Sequence, residues 1–163
     1  KYKDRKAGEF VNVNFNQEIK GQKVVVFGLP GAFTPTCSTQ QLPGFDELFS
    51  KFREVGIDNI YCHAVNDPFV MNAWFEHQNI TWIRPLPDGN GDLAFQLGMM
   101  VQKKNLNFGS RCWRYALILD GSTGEVLDVF PEDGFGDNIE TDPYEKSRPE
   151  AVLKWAMANL SEG

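Results

Sequence analysis

Val11, Val13 and Phe15 alternate with Asn12 and Asn14, the period-two pattern of a half-buried strand, and Lys23-Val24-Val25-Val26-Phe27 is apolar enough for a strand covered on both faces. The period then lengthens. Phe45, Leu48, Phe49, Phe52 and Val55 recur at helical spacing with Gly56 as the stop, while Pro43-Gly44 predicts a kink or break ahead of that helix and leaves Cys37 in a preceding first turn. Ile57 to Val65 reads as a buried strand. Asp67 as N-cap and Pro68 at the first helical position then open a helix over Phe69–Glu76. Thr81-Trp82-Ile83 predicts a short strand, Asp88-Gly89-Asn90-Gly91 a turn, and Asp92 the cap of a helix through Leu93, Leu97 and Met100. Tyr115–Leu119 and Glu125–Phe130 flank Asp120-Gly121-Ser122-Thr123-Gly124 as a hairpin. Pro131 to Arg148 predicts an extended surface segment, and Ser147-x-x-Glu150 a capping box for a helix over Val152–Leu160. βαβ units followed by a hairpin predict an α/β fold, a central mixed sheet with helices on both faces.

At 163 residues the chain is expected to be one domain spanning 1–163. Its 42% apolar and 23% charged residues are those of a folded soluble protein. The longest apolar run, Val24–Phe27, is far short of the roughly 20 residues a bilayer span needs, and Lys1-Tyr2-Lys3-Asp4-Arg5-Lys6 lacks the apolar stretch of a signal peptide. No membrane association is expected. Lys1 in place of an initiator Met suggests a trimmed N-terminus that would hide any upstream targeting segment, and the expected compartment is the cytoplasm. A net charge of −6 without a local basic cluster argues against nucleic acid as a partner. Cys37, Cys62 and Cys112 form neither Cys-x-x-Cys nor a zinc-ligand pattern, which points to a reducing compartment. His63 and His77, fourteen residues apart, supply no metal pair and no obvious base for a Cys–His nucleophile.

The chemistry therefore rests on a cysteine, and Cys37 holds the favourable position. It follows a strand and the stiff loop Pro30-Gly31-Ala32-Phe33-Thr34-Pro35-Thr36, at a helix start. Unpaired amides and the helix dipole at such positions lower a cysteine pKa from about 8.5 into the range ~3.5–7.5, which favours the nucleophilic thiolate. Thr34 can aim its hydroxyl at the sulfur or at a substrate oxygen, and the two prolines stiffen the loop without adding donors. The competing reading is a cysteine packed as a small hydrophobe.

Pro30-x-x-x-Thr34-x-x-Cys37 resembles the active-site signature of the peroxiredoxins, and Pro-Gly-Ala-Phe-Thr-Pro-Thr-Cys-Ser is similar to the type-five, or plant type-II, subfamily. The resemblance extends through Leu42-Pro43-Gly44-Phe45, Val65–Trp74, Pro87–Gly91 and Phe108–Tyr115. It implies a thioredoxin-like fold and reduction of hydrogen peroxide or alkyl hydroperoxides at Cys37 as the peroxidatic cysteine. Pro30, Thr34 and Arg114 would complete the site, with no metal or organic cofactor. Arg114 would stabilise the thiolate and the charge that develops as O–O breaks; its competing reading is a strand-end salt bridge. Arg111 reads as a solvated loop residue, with a direct catalytic role as its competing reading.

The resulting sulfenic acid needs a second thiol. Cys62 matches a position treated as resolving in plant relatives, yet it lies in the alternating strand Ile60–Val65, where a packed core role competes and is favoured. Cys112 reads as a structural thiol. The C-terminal cysteine of animal type-five members has no counterpart, so the expected cycle uses one cysteine and an external thiol, glutaredoxin with glutathione or else thioredoxin. Ile139-Glu140-Thr141-Asp142-Pro143-Tyr144 is similar to glutaredoxin-linked and parasite one-cysteine members. A homodimer is also implied, with Phe33, Phe69, Trp74 and Phe108 either forming its aromatic surface or packing in the core. The rival function is a redox sensor or relay in which Cys37 oxidation controls partner binding.

Overall fold

The computed structural model describes residues 2–4, 9–11 and 14–160, the first two stretches by their backbone alone. A five-stranded mixed sheet forms the centre, in the order β5-β4-β3-β8-β9. Its members are β3 (Lys23–Gly28), β4 (Asn59–Ala64), β5 (Arg84–Pro87), β8 (Tyr115–Asp120) and β9 (Glu125–Pro131). β3, β4 and β5 run parallel, whereas β8 and β9 are antiparallel to their neighbours. Two antiparallel pairs stand outside this sheet: β1 (Tyr2–Asp4) with β2 (Glu9–Val11), and β6 (Met100–Lys103) with β7 (Gly109–Cys112).

β3 shows why the sheet is covered on both faces. Val25 and Phe27 enter one apolar cluster with Phe45, Phe52, Trp74 and Val152, and Val24 and Val26 enter another with Tyr61, Ala94 and Tyr115. Because alternate side chains of a strand point to opposite faces, an unbroken apolar run feeds both clusters. The first cluster is closed by α2 (Leu42–Glu47), α3 (Phe49–Glu54), α4 (Pro68–His77) and α6 (Pro149–Leu160); α1 (Phe15–Glu18) and α5 (Asp92–Gln96) lie against the second. Phe27 and Phe45 stack at 4.1 Å, pinning α2 to β3 immediately behind the loop that carries Cys37.

The predicted α4 is present, with the Asp67 carboxylate accepting from the Val70 amide at 2.9 Å, and so is the β8–β9 hairpin. Other boundaries differ for local reasons. Of the strand expected over Val11–Phe15, Val11 closes β2, residues 12–13 lie outside the described residues, and Phe15 opens α1 because the Asn14 side chain accepts from the Gln17 amide. The helix break falls at Leu48, not at Pro43, which occupies the first turn of α2, where its missing N–H costs nothing. Thr81, Trp82 and Ile83 form no strand, since all three amides donate to the Asp46 carboxylate. The edge strand is instead β5, whose Pro85 and Pro87 alternate with the residues bonded to β4. The helix after Asp92 ends at Gln96, and Met100 begins β6 after Gly98 adopts a positive φ of 70°. Ser147 does not cap α6. Its hydroxyl and amide both donate to buried Glu132, which needs them more.

Candidate active site

The chain leaves β3 at Gly28, where a Cβ would stand 2.0 Å from the Tyr115 ring, so only glycine lets the strand end here. The loop beyond it is tied down. Leu29 N–H donates to His63 O at 3.1 Å and Ala32 N–H to the Asn66 side chain at 3.0 Å. Thr34 donates its hydroxyl proton to Gly31 O at 2.7 Å, which leaves the oxygen lone pairs as the outward-facing function. From Pro35 the backbone is helical. Cys37–Gln41 forms a π turn that runs into α2, and Cys37 sits fully buried at its start. Phe33, immediately before, holds a positive φ of 63° and is 52% exposed.

Arg114 reaches the sulfur. It lies between β7 and β8, one residue ahead of Tyr115 where β8 begins, and its Nη2 donates to Cys37 Sγ at 3.3 Å. The rest of the guanidinium fork is fully engaged: Nε donates to Gln41 Oε1 at 2.8 Å, and Nη1 to Asp142 and to Pro143 O at 3.0 Å. Gln41 is fixed in turn by donating to Gly28 O at 3.0 Å. Burial opposes the Arg114 charge, but the Cys37 sulfur and the Asp142 carboxylate outweigh it and raise its pKa above the ordinary arginine value. The strand-end salt bridge and the contact with sulfur are therefore one arrangement, not alternatives.

Arg111 is not a solvated loop residue. It lies in β7, donates from Nη1 to Pro30 O at 3.2 Å and from Nε to Phe108 O at 3.1 Å, and stacks on the Phe108 ring at 4.9 Å. Gly31 makes this possible, because a Cβ there would stand 2.6 Å from Arg111 Nη1. Pro30 is thus held through its carbonyl, and it borders a cavity of about 10 Å³ that Lys103, Trp113, Arg114, Thr141, Asp142 and Pro143 also line.

Residues 4–142 match the Redoxin family. A peroxiredoxin of Rhizobium etli is 52% identical over 85% of this chain and 76% of its own. This chain belongs to the peroxiredoxin family. Its solved relatives include the 1-Cys peroxiredoxin antioxidant protein of Plasmodium falciparum, with a TM-score of 0.86 and 34% identity over 90% of this chain and 85% of that one. Reduced Prx3 of Vibrio vulnificus in complex with hydrogen peroxide has a TM-score of 0.80 and 36% identity over 90% and 84%. The fold is accordingly thioredoxin-like, and the family supports a thiol peroxidase activity that consumes a peroxide and a thiol reductant.

The other two thiols of this peroxiredoxin lie within the core, on β4 and β7. Cys62 lies in mid-β4, between Phe27 and Pro85, and Cys112 ends β7; both are free and fully buried, and burial pushes both thiols well above the usual cysteine range. Cys112 Sγ lies 3.6 Å from His63 Nδ1, which Tyr115 Oη also meets at 2.8 Å, while His63 Nε2 meets Asp88 at 2.8 Å. His63 is therefore occupied inside the second core. Of the four aromatics, Phe33 and Phe69 are exposed and Phe108 half-buried, but Trp74 is core and donates to Ser38 Oγ at 2.9 Å. Sequence reading did not single out Gln41, Asp142 or Lys103. Asp142 had a signal in the Ile139–Tyr144 resemblance; Gln41 and Lys103 had none. Among the described residues no cluster of His, Cys, Asp and Glu could hold a metal, and no helix is long and apolar enough to cross a membrane.

Proposed function

We propose that residues 1–163 act as one thioredoxin-like unit in which Cys37 is the peroxidatic cysteine. The observation that carries this reading is the 3.3 Å contact of Arg114 Nη2 with Cys37 Sγ in a fully buried setting. The Cys37 thiolate attacks the near peroxide oxygen of hydrogen peroxide or an alkyl hydroperoxide; an S–O bond forms, O–O breaks, and water or an alcohol departs once the leaving oxygen is protonated. Arg114 stabilises the charge on sulfur and on the dividing oxygens. Thr34, its own proton committed to Gly31, accepts the peroxide O–H and orients it, and Pro30 shields the sulfenic acid from water. Cys37→Ser is expected to abolish peroxide consumption, and retention of activity would refute the assignment.

The sulfenic acid is cleared by an external thiol, glutaredoxin with glutathione in preference to thioredoxin. The places of Cys62 in mid-β4 and Cys112 at the end of β7, where burial raises both thiols above the usual cysteine range, support this one-cysteine cycle, as does the likeness to a 1-Cys relative. Coupled peroxide consumption with each reductant, followed by intact mass of Cys37 adducts, tests it. Oxidation that stops at one equivalent with every general reductant would instead favour the sensor or relay reading. The exposed Phe33 and Phe69 support a homodimer built around the active-site mouth, which light scattering checks. The free state of all three cysteines supports a reducing, cytoplasmic setting.

A further inference from the structure

Peroxide cleavage releases an oxyanion, hydroxide or alkoxide, that must be protonated as O–O breaks. None of Cys37, Thr34 and Arg114 is suited to supply that proton. The thiolate has none, the Thr34 proton is held by Gly31 O, and a guanidinium does not give its proton up.

Lys103 shares a cavity with Arg114, the residue that touches the sulfur. It ends β6 with its side chain turned inward and only 6% exposed, against the cavity of about 10 Å³ that Arg114 and Pro30 also wall. That volume is about one water. Its ammonium lies 5.9 Å from the Trp113 ring centre and has no hydrogen bond or ion pair among the described residues, so its protons are uncommitted to protein acceptors. The charged and titratable groups facing it are Asp142 from the segment after β9, Arg114 from the β7–β8 junction and Cys37 from the π turn; its strand partner in β7 is Gly109, which has no side chain.

We propose that Lys103 is the proton donor for the leaving oxygen, acting directly or through one water held in the cavity. Burial pulls its pKa below the ordinary lysine value and Arg114 adds to this, against the opposing charges of Asp142 and Cys37, which brings the ammonium closer to a useful acid strength. The step balances. Sulfur is oxidised from thiolate to sulfenic acid, the O–O bond is reduced, the departing RO⁻ takes a proton from Nζ to give ROH, and the neutral amine regains its proton from solvent.

The inference rests on Cys37 as the attacking sulfur, so the test separates the two. Pre-reduced wild type, Lys103→Met and Lys103→Arg are mixed with hydrogen peroxide or with peroxyacetic acid, and the single oxidation of Cys37 is followed by stopped flow. Hydroxide needs a proton to leave; acetate does not. Lys103→Met should slow the hydrogen peroxide reaction by about 100-fold while peroxyacetic acid changes by less than about threefold. Lys103→Arg should not restore the hydrogen peroxide rate, since it returns charge without a transferable proton. Equal losses with both peroxides in Lys103→Arg, rescue by arginine, or an unchanged hydrogen peroxide rate in Lys103→Met would each overturn the proposal. Should Lys103→Met lose structure, the two-peroxide comparison in Lys103→Arg decides alone. Cys37→Ser reacting with peroxyacetic acid at the wild-type rate would instead overturn the assignment of the attacking sulfur.

Discussion

Replacing Arg114 with Met keeps a comparable side-chain length but removes the cation from Cys37. At 3.3 Å and an effective dielectric of about 20, the attraction between guanidinium and thiolate is about 5 kcal/mol, which sets a ceiling. Part of that is spent on desolvating the pair, and Asp142 on the same guanidinium already neutralises some of its field. A hydrogen bond to a charged group contributes about 2–3 kcal/mol net, so Arg114→Met should slow Cys37 oxidation by about 30- to 150-fold. Arg114→Lys should recover only a fraction. The fork serves Gln41, Asp142, Pro143 and Cys37 at once in fixed directions, and one ammonium cannot reproduce all four. Stopped-flow mixing of the pre-reduced protein with hydrogen peroxide measures the step without interference from the reductant. A Met variant within twofold of wild type, or a Lys variant at full rate, would refute the electrostatic reasoning.

Thr34→Val keeps the shape of the side chain and deletes the acceptor, and should lower the same rate about tenfold, while Thr34→Ser stays near wild type in the same stopped-flow assay. Cys62→Ala should leave turnover with glutaredoxin and glutathione intact and cost about 1 kcal/mol of stability in a denaturant titration, as expected of a packed thiol; collapse of turnover would restore it as the resolving cysteine. Burial alone would push the Glu132 carboxyl up, but the Ser147 hydroxyl and the amides of Ser147, Glu145 and Lys146 hold it below the usual glutamate range. Its contribution is therefore complete above the unfolded value of about 4.3 and is lost as pH falls through the lower native value. Glu132→Gln should cost about 2 kcal/mol at pH 7 and flatten the acid limb of a stability-against-pH curve, because a neutral amide accepts these hydrogen bonds more weakly and takes up no proton as pH falls. A curve parallel to wild type would refute this.

Local pattern determined much of this protein. The apolar run Lys23–Phe27, the helical spacing of Phe45 to Val55 and the Asp67-Pro68 helix start are legible because each element's burial is written at its own period, and Pro30-x-x-x-Thr34-x-x-Cys37 lies within one loop and turn. Arg114 was legible only through resemblance, since it lies 77 residues from Cys37 and no sequence period connects them. What tertiary structure alone decided was who partners whom. Ser147 abandons a helix cap for buried Glu132, the Thr81–Ile83 amides turn to Asp46 and the strand forms beyond them, and Arg111 comes off the solvent to Pro30 because Gly31 leaves room. Lys103 is the plainest case. Its alternation with Val101 on β6 would mark a buried position for an apolar side chain, and a lysine there hides the strand from any hydrophobic pattern. Short-range spacing encodes which face a residue takes; the charges that meet across that face come from distant segments, and only folding brings them within reach of one another.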